Sequence, residues 1–404
     1  MRRRVFTVLL SALMIVSMSA GIFGAELPAS TASAAETIKT QYSSMVRGTW
    51  VPYCDFKTLG LYNQRNVSTY TARCNTLMRK LKAQGINTVY FHARSFDDAA
   101  WCSNTFKASR YLVPSSVVSK YRNSRQAYMH YLGYDPFKVF VRRAAAYSIK
   151  VEAYMNPYRV TSSRFLDPKS PYTRQRIYRA VQEMKAGYNV SGIHYDDYFY
   201  NSGGSYVYTT KSTRYSKYVS GRTSTCRGLS SKSKRVYCNY MIRGTYGIVH
   251  SSKYPRSSSF KTLRFGVSSQ GNYKNCMASG ADIDTWLRVA NYVDYLAPQI
   301  YWTDRYVVSG KSVKMFSSRL SLFMSKNKLN KPIYVGLALY RSGQSNAYDK
   351  GWAASTQNIR YQVKVLTAKG ADGYALYSAK YIAYPSSAVK KELSGYHSLI
   401  FTSG

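Results

Sequence analysis

The sequence predicts a (β/α)8 barrel, the TIM-type α/β fold, with a long basic insertion after its fourth strand. Three observations lead to it. Eight short runs rich in β-branched and aromatic residues recur along the chain, and segments of helical period separate them. The chain has 404 residues, 45% apolar and 19% charged, which suits one large barrel able to bury its core without metal or disulfides.

The eight runs lie at 45–51 (MVRGTWV), 86–92 (INTVYFH), 150–156 (KVEAYMN), 191–197 (SGIHYDD), 264–269 (RFGVSS), 293–302 (VDYLAPQIYW), 332–338 (PIYVGLA) and 371–377 (ADGYALY). Helical period covers 71–84, 136–148, 172–187, 234–251, 282–290, 314–326 and 355–369. Gly85, Gly187 and Gly370 stand where helices should stop. A doubly wound sheet is the competing fold, but it needs a phosphate loop, and neither G-x-G-x-x-G nor a Walker pattern occurs. After the eighth unit only one short helix and a tail are expected.

The segment 198–281 contains no Asp or Glu, and residues 201–262 carry 12 Lys and Arg. Its first part, 201–233, is rich in Ser, Thr, Gly and Tyr and reads as a long loop on the C-terminal rim.

The N-terminus predicts export. Arg2, Arg3 and Arg4 precede an apolar run to about Gly24, and small residues end at Ala32-Ser33-Ala34. This is the order of a secretory signal over 1–34, cleaved after Ala34, leaving 35–404 as a single barrel domain. An uncleaved anchor is the alternative; if the signal is cleaved, no stable membrane anchor remains. Removing 1–34 takes away those three Arg and Glu26, which lowers the net charge of +40 to +38. In an exported chain the six Cys suggest disulfides. Cys226 and Cys238, twelve apart, are the expected pair, with Cys54, Cys74, Cys102 and Cys276 left for one or two more. The five His do not cluster with the Cys and no C-x-x-C occurs, so no metal or other cofactor is expected.

Barrel enzymes place their chemistry at the C-terminal ends of strands. Asp135, Asp167, Glu183, Asp349 and Glu392 fall elsewhere and read as surface or capping acids. Asp55, Asp97, Asp98, Asp196, Asp197 and Asp304 fall at or near that face. The sharpest element is GIHYDDYFY (192–200), a buried-type strand ending in two adjacent carboxylates. Such neighbours cannot both ionise freely, so one stays protonated at neutral pH and can serve as an acid. Glycoside hydrolysis uses such pairs. In the structural alternative, one Asp caps the next segment and the other pairs with Arg94 or Arg159.

The blocks RGTWVPYCDF (47–56), GINTVYFHARSFDDAAW (85–101), GYDPFKVFVRRAAAYSIKVEAYMNPYRV (133–160), GIHYDDYFY (192–200), VDYLAPQIYW (293–302) and KPIYVGLALY (331–340) resemble, in order, the glycoside hydrolase-like ten family of bacterial barrel proteins. The resemblance implies a glycosidase acting on cell-wall glycan, including strands stripped of peptides. It also implies a site drawn from Arg94, Asp98, Asn156, Tyr158, Arg159, Asp196, Asp197, Gln299 and Tyr301. Two positions depart from the family pattern: Glu152 stands where His is expected, and His92 where Gln is expected.

The seventh run, YVGLALY (334–340), offers no carboxylate, so a double displacement between strands 4 and 7 is not expected. Two schemes stay open: attack by the substrate's own acetamido oxygen, or inversion using Asp98 or Asp304 across the cleft. Asp197 is read as general acid and Asp196 as its orienting partner, with exchanged roles also open. Trp50, Trp101, Trp302, Tyr158, Tyr198 and Tyr301 are the strand-end aromatics expected against sugar rings. Arg94 and Arg159 would bind a substrate carboxylate or hold the Asp pair.

The charge implies a polyanionic surrounding, and for an exported protein that means anionic cell-wall polymers. No nucleic acid is expected, since no helix-turn-helix or zinc-finger spacing is present. Beside the secreted glycosidase stand two other readings, a non-catalytic wall-binding barrel and a plain polyanion binder.

Overall fold

A computed structural model describes residues 36–200, 205–207, 223–225 and 229–403. The expected signal over 1–34, and Cys226 of the expected pair with Cys238, lie outside them.

Eight parallel strands form one sheet: β1 (Val46–Val51), β2 (Thr88–Arg94), β3 (Lys150–Met155), β4 (Gly192–Tyr195), β5 (Arg264–Val267), β6 (Tyr295–Leu296), β7 (Tyr334–Leu337) and β8 (Gly373–Leu376). Their order is sequential, with β1 hydrogen-bonded between β2 and β8. Isolated parallel bridges Leu296–Ile333 and Gln299–Gly336 join β6 to β7 and bring the barrel round. A doubly wound sheet would not place the first strand beside the last. The matching helices are α1 (Val67–Ala83), α2 (Pro136–Ala146), α3 (Pro171–Gly187), α4 (Ser231–His250), α5 (Ile283–Arg288), α6 (Met315–Lys326), α7 (Asn358–Ala368) and α8 (Ser387–Ile400).

Local chemistry sets these boundaries. Asn66, Asp135, Ser170, Ser230, Asp282 and Ser386 each accept a backbone N–H at the helix they open, and Pro follows the cap at α2 and α3. Gly85 and Gly370 adopt the left-handed conformation expected of helix stops, whereas Gly187 is the last helical residue of α3.

Three regions depart from the simple repeat. Between β2 and α2 the chain makes a two-residue strand pair (Asp98–Ala99 with Lys107–Ala108) and the short helices Ser115–Lys120 and Ser124–Ala127. Within the expected loop over 201–233, strands Ser205–Val207 and Thr223–Thr225 join Arg164–Leu166 in a three-stranded sheet. Thr and Tyr suit strands once an edge is available to pair with, which composition alone does not reveal. After β8 come two helices, Ala379–Ala383 and α8, and then Phe401–Ser403, antiparallel to Glu36–Ile38.

The further disulfides expected from Cys54, Cys74, Cys102 and Cys276 do not form; all four are free thiols. They sit on separate elements, and Cys74, Cys102 and Cys276 are buried as small apolar side chains. Asp167, Asp349 and Glu392 are buried too, rather than at the surface. Glu392 reaches from α8 to accept the N–H groups of Asn358 (3.1 Å) and Ile359 (3.0 Å), a cap for α7 supplied by another helix. Among the described residues no helix is long and apolar enough to cross a membrane.

The barrel interior is polar and aromatic rather than aliphatic. Trp50, Tyr90, Tyr154, Tyr295 and Tyr334 pack there around His194 and Glu152. Such bulk fits because the neighbouring strands carry glycine in register with it. A Cβ on Gly266 would lie 2.0 Å from the Tyr295 ring, and one on Gly192 would lie 2.8 Å from the Glu152 carboxylate. Glu152, the first departure from the family pattern, is a compensated charge: Arg264 pairs with it at 2.5 Å and the Tyr295 hydroxyl donates to it.

Candidate active site

Side chains alternate along β4, so Gly192 and His194 face the interior while Tyr195 faces out to Thr245 of α4 (2.9 Å). Asp196 continues the inward parity one residue past the strand and lands at the barrel mouth. There a cleft of about 630 Å³ opens, lined by Asp196, Asp197, Tyr198, Gln299, Tyr301 and Trp50. Tyr154, Tyr340, Tyr377, Gln270, Asn275 and Lys234 complete most of its wall.

The two carboxyls are held differently. Asp196 is buried, and it accepts the Tyr154 hydroxyl, the Gln299 amide (3.1 Å) and the Asp197 N–H (2.9 Å). Gln299 is itself positioned by Ser268 Oγ at 3.0 Å. Burial raises the Asp196 pKa, and these donors hold it back. Asp197 is pushed well above the usual carboxylate range, first by burial and then by the charge of Asp196. Of the two, Asp197 is therefore the one that keeps its proton more readily. A half-buried carboxyl that holds its proton beside a buried, oriented carboxylate can act as an acid with an electrostatic partner in one place.

Arg159 flanks the pair. Its guanidinium lies 4.4 Å from the Tyr198 ring centre and 4.9 Å from that of Phe96, and its charge favours ionisation of both Asp residues. His92, the second family departure, stacks on Tyr154 at 3.9 Å. Burial first, then the charge of Arg159, keeps it neutral.

The other residues singled out in the sequence lie away from the cleft. Arg94 is fully buried, bonded to Asp97 (2.6 Å) and the carbonyls of Asn156 and Pro157, so its contacts brace the loops behind the cleft. Asn156 donates to the Ser95 carbonyl at 2.6 Å, beneath the surface. Tyr158 and Trp101 are fully buried, the latter donating to Glu183 at 2.9 Å. Asp98 turns onto the N–H groups of Ser95 and Phe96. Trp302 lies under Arg319 at 4.2 Å, and Asp304 accepts from Ser317 N (2.8 Å) and Tyr361 Oη (3.0 Å). The inverting partners considered in the sequence are thus both committed elsewhere. Asp196 and Asp197 are the cleft's carboxylates among the described residues, and the chain from 198 to 281 has none to add.

Tyr154, Tyr340 and Tyr377 were not among the residues singled out. Tyr154 shares the parity of Asn156 and Glu152 and was within reach of that rule; Tyr340 and Tyr377 follow β7 and β8. Their rings and that of Tyr301 stand about 6 Å apart, forming one aromatic wall. Among the described residues no group of three or more His, Cys, Asp or Glu is placed to hold a metal ion.

Residues 153–354 match the model of a protein family described as glycosyl hydrolase-like 10. The chain is 25% identical over 380 residues to glycosyl hydrolase DigH of Escherichia coli K12, covering 78% of this chain and 77% of that protein. Against glycosyl hydrolase YngK of Bacillus subtilis it is 22% identical over 274 residues, which is 56% of this chain and 49% of that one. Among solved structures, the endo-1,4-beta-mannanase of Rhizomucor miehei superposes with a TM-score of 0.51 at 11% identity. That match spans 88% of this chain and 94% of the mannanase, a likeness of fold.

Proposed function

The chain belongs to the glycosyl hydrolase-like 10 family and is a glycosidase, and from that premise we propose that it is exported and cleaves peptidoglycan glycan strands in the cell wall. The observation that carries the mechanism is the unequal pair at the end of β4. Asp196 is held by Tyr154, Gln299 and the Asp197 N–H, while Asp197, also in the cleft wall, is pushed the higher of the two by burial and by the charge of Asp196.

In this reading Asp197 donates its proton to the glycosidic oxygen as the C–O bond breaks. With no further carboxylate in the cleft among the described residues, the nucleophile comes from the substrate. The carbonyl oxygen of its 2-acetamido group attacks the anomeric carbon while Asp196 accepts the amide N–H and stabilises the positive ring. Water, deprotonated by Asp197, then opens that ring and restores the acetamido group. Tyr154 and Gln299 keep Asp196 in place, and the tyrosine wall with Trp50 offers faces for sugar rings. The net charge of +38 that remains once the signal is removed attracts the chain to anionic wall polymers.

The test is incubation of the mature chain with peptidoglycan, intact and after enzymatic removal of stem peptides, with products read by mass spectrometry. New reducing ends from wild type and none from Asp197→Asn are expected. Co-sedimentation of both proteins without fragments would replace hydrolysis by wall binding.

A further inference from the structure

A second cavity, of about 470 Å³, is lined in part by Phe96, on whose ring Arg159 rests. That volume is within the roughly 300–1,000 Å³ typical of small-ligand sites. Arg159 links the two: its guanidinium lies over Tyr198 of the cleft and over Phe96 of this pocket. Three half-buried rings build the pocket's side, Tyr53 at 5.1 Å from Phe96 and 4.4 Å from Tyr111. Partly exposed aromatic faces beside a glycan cleft are suited to stacking on a further sugar.

Its charges are unequally committed. Asp97 is neutralised by two buried arginines, Arg94 (2.6 Å) and Arg176 (2.8 Å). Lys107 is spent on the carbonyls of Tyr121 (2.6 Å) and Val118 (3.4 Å). Arg110 and Arg164 line the same pocket and are exposed, and neither takes part in an ion pair among the described residues. Two exposed guanidiniums without an ion-pair partner among the described residues, lining a pocket with an aromatic side, suit a ring carrying an anion, and their planar forks match a carboxylate.

We propose that this pocket is a glycan subsite for a sugar ring that bears a carboxylate, which Arg110 and Arg164 hold while the Tyr53–Phe96–Tyr111 cluster supports the ring. The subsite rests on the glycosidase reading and deepens it, because it names the acidic sugar as the unit bound in the second cavity.

Calorimetric titration of the Asp197→Asn chain, which keeps its ligand intact, tests this. The probes are an N-acetylglucosamine–N-acetylmuramic acid tetrasaccharide with free lactyl carboxylates and the same compound with those groups converted to methylamides. The free acid should bind roughly tenfold tighter. Adding Arg110→Gln and Arg164→Gln should erase the ratio, and each single exchange, at an exposed position, should reduce it. Equal affinity for the two probes, binding of neither, or a ratio that survives both exchanges would overturn the subsite. Turnover of the free acid by the otherwise wild-type chain is read separately. A preference without turnover would sink the hydrolase reading and leave the subsite standing; turnover without preference would do the reverse.

Discussion

The indole N–H of Trp50 donates to Nε2 of His194 at 3.2 Å, and that single contact decides the tautomer of the ring. Burial holds the His194 pKa down to about 3, so the imidazole is neutral and its one hydrogen sits on Nδ1. It points at the Tyr295 hydroxyl (2.7 Å), which donates in turn to Glu152. A one-way run of donors thus ties a ring lining the cleft to a carboxylate deep in the barrel.

That run ends on the Glu152–Arg264 pair, where Glu152 is fully buried. Glu152→Gln is expected to destabilise the fold by about 3 kcal/mol, because Arg264 keeps its bond to the Tyr334 hydroxyl but loses its counter-ion. Arg264→Met added to Glu152→Gln should recover part of the loss. Urea unfolding of the two variants checks both statements, and additive losses would count against the pairing.

Tyr154→Phe removes the hydroxyl that holds Asp196 while leaving the ring stacked on His92. A fall in kcat of roughly 10- to 100-fold is expected, with KM nearly unchanged and the thermal midpoint close to wild type. A change confined to KM would mean that Tyr154 binds sugar rather than positioning the carboxylate.

The pH dependence follows from the two carboxyl shifts. Activity needs Asp197 protonated and Asp196 ionised, so it should fall on the alkaline side as Asp197 titrates and on the acid side as Asp196 does. Stability has its own sign. A folded-state pKa raised above the unfolded value means the native state holds the proton more tightly. The contribution is full below the unfolded pKa and is lost as pH rises through the folded one. Asp197→Asn should therefore be more stable than wild type at neutral pH, by about 1 kcal/mol, and inactive. Denaturation at acid and neutral pH would show the gap closing in acid.

The buried thiols make a chemical prediction. Cys74 and Cys276 have pKa values pushed up to about 12 by burial. Native protein treated with iodoacetamide should leave both unmodified, and unfolding without reductant should expose both to alkylation. Recovery of either in a disulfide-linked peptide would contradict the free thiols.

The barrel was legible because its signals are local: all eight strands lie within the runs read from the sequence or overlap them, and most helix starts carry their caps. The Asp pair was legible for the same reason, since two acids at the end of a buried-type strand can face little but the mouth. Distinguishing Arg94 from Arg159 was not possible from sequence. It depends on Asp97, and on Arg176 arriving from α3, a packing relation with no trace at either arginine. Asp304 looked equivalent to the pair by position, but it is claimed by Ser317, thirteen residues on, and by Tyr361 of α7. Tyr154 could have been found by counting parity back from Asn156.

What β7 lacks has a consequence for selectivity. With Tyr334–Leu337 and its sequel supplying no acid, the proposed enzyme leaves one reactant for its substrate to bring. A mannan or cellulose strand, which has hydroxyl where acetamido is needed, would fit along the tyrosine wall as an unreactive competitor. Shape would admit it and chemistry would refuse it, so the discrimination resides in the turnover step and not in the fit.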